Sequence, residues 1–180
     1  DFEDGHTSIL QIESRLDKFR SRVDRRNEIE ICHLAGVFYL NFAKPELALK
    51  WTFRNRNRKI EQYRPDLLAY SHVLFLLAHF ELGNWDIIHQ NTKPISTILR
   101  RADQLNHFYE TVLACFHDLG KAKNDDARRT AFQKFGDELN ELYAQNGWAR
   151  MNYYFNLRVW IQAKIDRAPM VDLLKVEFGY

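Results

Sequence analysis

Cysteine is nearly absent from this sequence: Cys32 and Cys115 are the two in 180 residues, each inside an apolar run. A disulfide framework is therefore excluded, and both read as small buried hydrophobes of a reducing compartment, the cytoplasm. Glycine and proline are scarce as well, at seven and four. That is about half of the usual ~12% share for the pair, so elements should be long and turns short. No stretch approaches the ~20 uninterrupted apolar residues that a bilayer crossing requires, and no apolar leader opens the chain. An excess of one charge is missing too: 26 Lys and Arg against 24 Asp and Glu leave a net charge of +2. A dedicated nucleic-acid domain would segregate basic residues on one face, and most basic stretches here carry acids among them. The nucleophile elbow GxSxG, the zinc motif HExxH, CxxC and the phosphate loop GxxxxGK[ST] do not occur. Cys32 and His33 are adjacent, so on a helix they diverge by roughly 100° and make no nucleophile–base pair. No segment alternates apolar and polar residues with the period of a half-buried strand.

What is present is apolar bulk at helical spacing. Apolar residues make up 46% of the chain, with 13 Phe, 8 Tyr and 4 Trp among them. That suffices for one core and excludes disorder. Ile9, Ile12, Leu16, Phe19 and Val23 recur every three or four residues, which predicts an amphipathic helix over 7–26, closed at Asn27. A second helix, 28–42, is apolar around most of its girth, with Ala35 and Gly36 in the middle, as in a rod packed on two sides. Pro45 opens a third, to about 56, with Leu47, Ala48, Trp51 and Thr52 facing inward. Pro65 opens a fourth that stops at Gly83. Asn84 caps a fifth, 85–101, which Pro94 should kink or shorten. A sixth spans about 105–119 with Gly120 as its stop, and a seventh spans 125–145 with Phe132, Phe135, Leu139 and Leu142 in its stripe. An eighth over 148–167 and a short last helix over 171–178 complete the chain. The reading is all-α, about eight helices, arranged as antiparallel pairs.

A shift of 40 residues lays 31–53 on 71–93: Leu34 meets Leu74, Phe42 meets Leu82, Ala43 meets Gly83, Glu46 meets Asp86 and Leu47 meets Ile87. Such self-similarity is the mark of stacked helical units. In FYLNFAKPELALKW and the residues before it, Gly36, Tyr39 and Ala48 occupy the small, aromatic and alanine positions of a known signature. The chain thereby resembles the tetratricopeptide-repeat family, of a divergent kind found in bacterial proteins. Leu76 and Ile88 replace the small residues in the second unit, and its ~40-residue spacing exceeds the family's ~34. The resemblance implies a single domain over 1–180, built as a superhelix of pairs. Residues 7–26 would be the second helix of a preceding unit, 28–56 the first pair, 65–101 the second, 105–145 the third and 148–178 a C-terminal pair. A chain opening on Asp1 then reads as a fragment of a longer one.

The family's groove positions fall on Glu30, His33, Val37, Leu40 and Asn41 of the first unit. The second unit offers Tyr70, Val73, Leu77, Phe80 and Glu81, and the third His107, Glu110, His117 and Asp118. Such a mixed apolar, His and acidic groove suits an extended peptide or a helix of basic character. The expectation is a non-enzymatic scaffold for a protein or peptide partner, with no cofactor, no metal, no membrane and no nucleic acid. Self-association is a further expectation, through Ile9, Leu16 and Phe19 of the first helix.

Two other readings compete. His117-Asp118 in CysPheHisAspLeuGlyLys resembles the His-Asp signature of metal-dependent phosphohydrolases, with His79 or His89 and Asp137, Asp166 or Asp172 as further ligands. The basic connector 54–64 holds Arg54, Arg56, Arg58, Lys59 and Arg64 and could contact RNA or another polyanion. Tyr63 is the one aromatic at hand there, whereas single-strand binders interleave several.

Overall fold

A helix begins where a side chain can take up the backbone N–H groups that its first turn leaves free. In the computed structural model, which describes residues 1–19, 22–56, 64–145 and 153–179, this rule sets most of the boundaries. Nine helices and no strand occur among the described residues: α1 (Phe2–Lys18), α2 (Arg25–Asn41), α3 (Pro45–Arg56), α4 (Pro65–Glu81), α5 (Trp85–Arg101), α6 (His107–Lys121), α7 (Asp125–Ala144), α8 (Leu157–Asp166) and α9 (Met170–Phe178). The side chains of Asp1, Asp24, Asn106, Asn124 and Asn156 accept N–H groups at the starts of α1, α2, α6, α7 and α8. Each such cap contributes on the order of 1 kcal/mol.

Several expected boundaries move for this reason. The first helix runs from Phe2 to Lys18, not over 7–26, because Asp1 caps it and Asp24 starts the next one. Asn27 therefore lies inside α2 and breaks nothing. Pro94 does not end α5: it is exposed, as is Gln90, whose carbonyl loses its partner to solvent. Gly120 is no stop either, since α6 continues to Lys121. Its lack of a side chain serves a close crossing, because a Cβ there would lie 3.1 Å from the Cβ and backbone N of His89 on α5. The predicted eighth helix begins at Leu157, not at Trp148: residues 153–156 form a turn and irregular backbone, and 146–152 lie outside the described residues.

The 40-residue repeat survives in the backbone of its turns. Ala43 and Gly83, the pair that the offset aligned, both adopt positive φ (52° and 68°). In each turn this residue donates to the carbonyl three back, and the next residue donates to the carbonyl five back: Lys44 N to Tyr39 O at 2.8 Å, Asn84 N to His79 O at 2.9 Å. This closes α2–α3 and α4–α5 alike. Glycine meets that geometry freely, while Ala43 adopts it at a cost of roughly 1 kcal/mol.

Helices pack on their successors from α2 to α9, and α2 also meets α4. Gly36, Tyr39 and Ala48 are all buried, and a Cβ on Gly36 would touch Thr52 of α3 and Leu74 of α4, 3.5 and 3.6 Å away. Helix α4 is buried from Leu67 through His79 on every face, so it forms the axis of the core. Around it stand Trp51, Phe108, Phe116 and Phe135, each fully enclosed and each worth about 1.5–3 kcal/mol of burial.

Candidate interaction surface

The residues aligned with a repeat groove do not face an empty trough; the chain's own C-terminal segment lies against four of them, His33, Tyr70, Phe80 and Glu81. His33 of α2 is 4% exposed, and its Nε2 lies 3.0 Å from the backbone oxygen of Tyr154. One helix further along, Tyr70 of α4 donates its hydroxyl to the backbone oxygen of Phe155 at 3.1 Å. Two side chains from successive inner helices thus read two consecutive main-chain carbonyls of a tight, non-helical turn, in which Leu157 N also donates to the Phe155 oxygen at 3.0 Å. Burial brings the His33 pKa from 6.5 down to about 4, so the ring is neutral at pH 7 and donates to the carbonyl from Nε2. Its Nδ1 is buried and meets no partner among the described residues.

The entering segment is fixed at both ends. The Tyr154 hydroxyl donates to Asp66 Oδ2 at 2.9 Å. Arg64 grips the same carboxylate from two nitrogens, at 3.0 and 2.7 Å, and also holds Glu30. Burial opposes the Asp66 charge, but the hydrogen bonds from Arg64 and Tyr154 prevail and hold its pKa below the ordinary value. Farther on, Glu81 accepts from Trp160 Nε1 at 2.7 Å and from Lys164 Nζ at 2.6 Å. Between these points Phe155, Leu157 and Trp160 are buried, with the Trp160 ring edge-on to Phe80 and Phe132.

No family model, curated protein or solved structure matches the chain. What the surface can do rests on its geometry alone.

The other candidates are dispersed. Leu40, Val73 and Leu77 are core; Val37, Phe80 and Asn41 are half-buried, and Asn41 Oδ1 is enclosed without a partner among the described residues. His107 and Glu110 are exposed and line an open cleft of about 460 Å³ between α6 and α7. Thr111, Ala114 and Leu142 are part of its lining, and Glu138 and Glu141 add two more carboxylates. Lys134 reaches Glu138 at 3.7 Å, so the cleft remains acidic on balance.

His117 lies over His89, with ring centroids 5.1 Å apart, and its Nδ1 is 3.4 Å from Thr92 Oγ1; Asp118 is exposed. His79 faces Asn84 instead, at 3.0 Å. Among the described residues no three His, Cys, Asp or Glu side chains gather as a metal site requires. Of the basic connector, 57–63 lie outside the described residues. Its flanking cations serve acids of the chain itself, Arg54 pairing with Glu13 and Asp17, Arg64 with Glu30 and Asp66. Both cysteines are buried and free, and burial raises the Cys115 thiol pKa well above its ordinary value. No helix among the described residues is long and apolar enough to cross a membrane.

Sequence reasoning missed Asp66, Tyr154 and Phe155, and offered Arg64 to a polyanion where the structure pairs it with Asp66 and Glu30. The signal lay in Asn156: a capping residue directly before the apolar run LeuArgValTrpIle starts a helix there and leaves TyrTyrPhe outside the α-helix in front of it.

Proposed function

We propose that the chain is a non-catalytic, tetratricopeptide-like helical scaffold that binds extended protein segments. The observation that supports this most is the way α2 and α4 hold residues 153–156. His33 and Tyr70 donate to successive backbone carbonyls, a means of gripping a polypeptide by its main chain whatever its sequence. Buried Gly36, Tyr39 and Ala48 where the first two units meet support the family resemblance.

Of the groove-aligned residues, His107 and Glu110 line an open cleft between α6 and α7. Its three carboxylates over an apolar floor favour a partner segment that mixes lysine or arginine with aliphatic residues. Fluorescence anisotropy with a labelled dodecapeptide alternating lysine and leucine tests this on the full chain. Saturable micromolar binding is expected, lost on Glu110→Lys/Glu141→Lys and absent for a peptide alternating glutamate and leucine. Equal binding of both peptides, or indifference to the double substitution, contradicts the reading.

A further inference from the structure

At the other end of the chain, an apolar trough lies open between α1 and α2. It holds about 320 Å³ and is lined by Gly5, Ile9 and Ile12 of α1 and by Ile31, Leu34, Ala35 and Phe38 of α2. Leu34 is 64% exposed, Phe19 42% and Ile12 38%. Leu16, expected at a contact between copies, is buried within the chain itself.

The charges around α1 differ from side to side. At 100° per residue, Glu13 and Asp17 fall toward α3, where Lys50 and Arg54 neutralise them. On the trough side the order is Asp4, Ser8, Ile12, Arg15 and Phe19, all exposed, and neither Asp4 nor Arg15 has an ion-pair partner among the described residues. Asp4 lies in the acidic first turn and Arg15 in the basic last turn, about 16 Å apart along the axis. A strip with one sign at each end and apolar residues between them is complementary to itself when turned end for end. Ser8, near its middle, is small and already spends its hydroxyl on the Asp4 carbonyl at 2.8 Å, so covering it strands no polar group.

We propose that two copies of the chain associate through this trough, their α1 helices antiparallel about a two-fold axis near Ser8 and Gln11. Asp4 of each copy then pairs with Arg15 of the other, and Ile12 of each covers Leu34 of its mate. An isologous contact of this kind closes at two subunits.

Sedimentation equilibrium of the full chain, from low micromolar to near-millimolar concentration, tests it. A monomer–dimer equilibrium is expected. Leu34→Glu, at an exposed site whose loss leaves the fold intact, abolishes it, and Arg15→Asp weakens it by roughly tenfold or more. The double reversal Asp4→Arg/Arg15→Asp restores it. Leu10→Glu, on the opposite face of α1, leaves it unchanged. A chain monomeric throughout overturns the proposal, and so do a dimer indifferent to Leu34→Glu, one broken by Leu10→Glu, or failure of the double reversal to recover association.

Discussion

The two ends of the chain rest on the same stack of helices and are held in opposite ways. At the C-terminal end, residues 153–166 pass over α2, α4 and α7 and are enclosed: Phe155, Leu157 and Trp160 are buried, and His33, Tyr70, Asp66 and Glu81 take up polar groups of the segment. At the N-terminal end, α1 lies on α2 with half of its apolar stripe open. Phe2 stacks against Phe38 with centroids 5.9 Å apart, and Glu13, Lys50, Arg54 and Asp17 form an ion-pair chain at the surface. Gly5 admits the approach, since a Cβ there would fall 2.4 Å from the Phe38 ring. A stack of helical pairs leaves an uncovered flank at each end. Here the tail is packed against α2, α4 and α7, while half of the apolar stripe of α1 stays exposed.

The largest difference should appear on truncation. Trp160→Ala opens a void beside Phe80, Phe116 and Phe132 and should cost about 3–5 kcal/mol in urea unfolding. Leu10→Ala on exposed α1 should stay within about 0.5 kcal/mol. A loss from Trp160→Ala as small as that from Leu10→Ala would break the comparison.

Acid should act on the C-terminal end first. His33 has a folded pKa of about 4 against 6.5 unfolded, so the unfolded state binds its proton first. The stability tied to its neutral form is complete above pH 6.5 and is lost as pH falls toward 4, on the order of 3 kcal/mol in all. The lowered Asp66 pKa adds a loss of the same sign at still lower pH. His33→Gln keeps an amide donor for the Tyr154 carbonyl and removes the titration. The pH slope of stability between 6.5 and 4 should flatten, and an unchanged slope would place the acid sensitivity elsewhere.

Smaller effects sharpen the contrast. Tyr70→Phe removes one of the two donors to the Phe155 carbonyl, leaving the Leu157 amide at 3.0 Å, and should cost about 1 kcal/mol. Glu13→Gln, which breaks surface pairs with Lys50 and Arg54, should cost less than about 1 kcal/mol. Thermal unfolding of the two variants side by side reads the order, and its reversal would count against the description of both ends.

Helix periodicity made the interior legible. The stripe of Phe132, Phe135, Leu139 and Leu142 is buried as the sequence implied, and the offset that paired Ala43 with Gly83 paired two residues of one backbone shape. The ends were read less well, for a physical reason. At the N-terminus the apolar spacing carries on through Phe19 and Val23, which lie between α1 and α2, and only the caps Asp1 and Asp24 say where each helix starts. At the C-terminus the aromatics of TyrTyrPhe suit a helix face as well as a buried turn, and Asn156 decides between them. The trough's contents were hidden for another reason. That His33 and Tyr70 serve carbonyls more than 80 residues away is a long-range pairing that no local spacing encodes.

Native-state hydrogen exchange tests the unequal anchoring of the two ends most directly. Amides of α8 should exchange only through global unfolding, with the same free energy and denaturant slope as those of α4, while amides of α1 open at markedly lower free energy. Exchange in α8 as fast as in α1, with α4 still protected, would show the tail to be loosely attached and contradict the account.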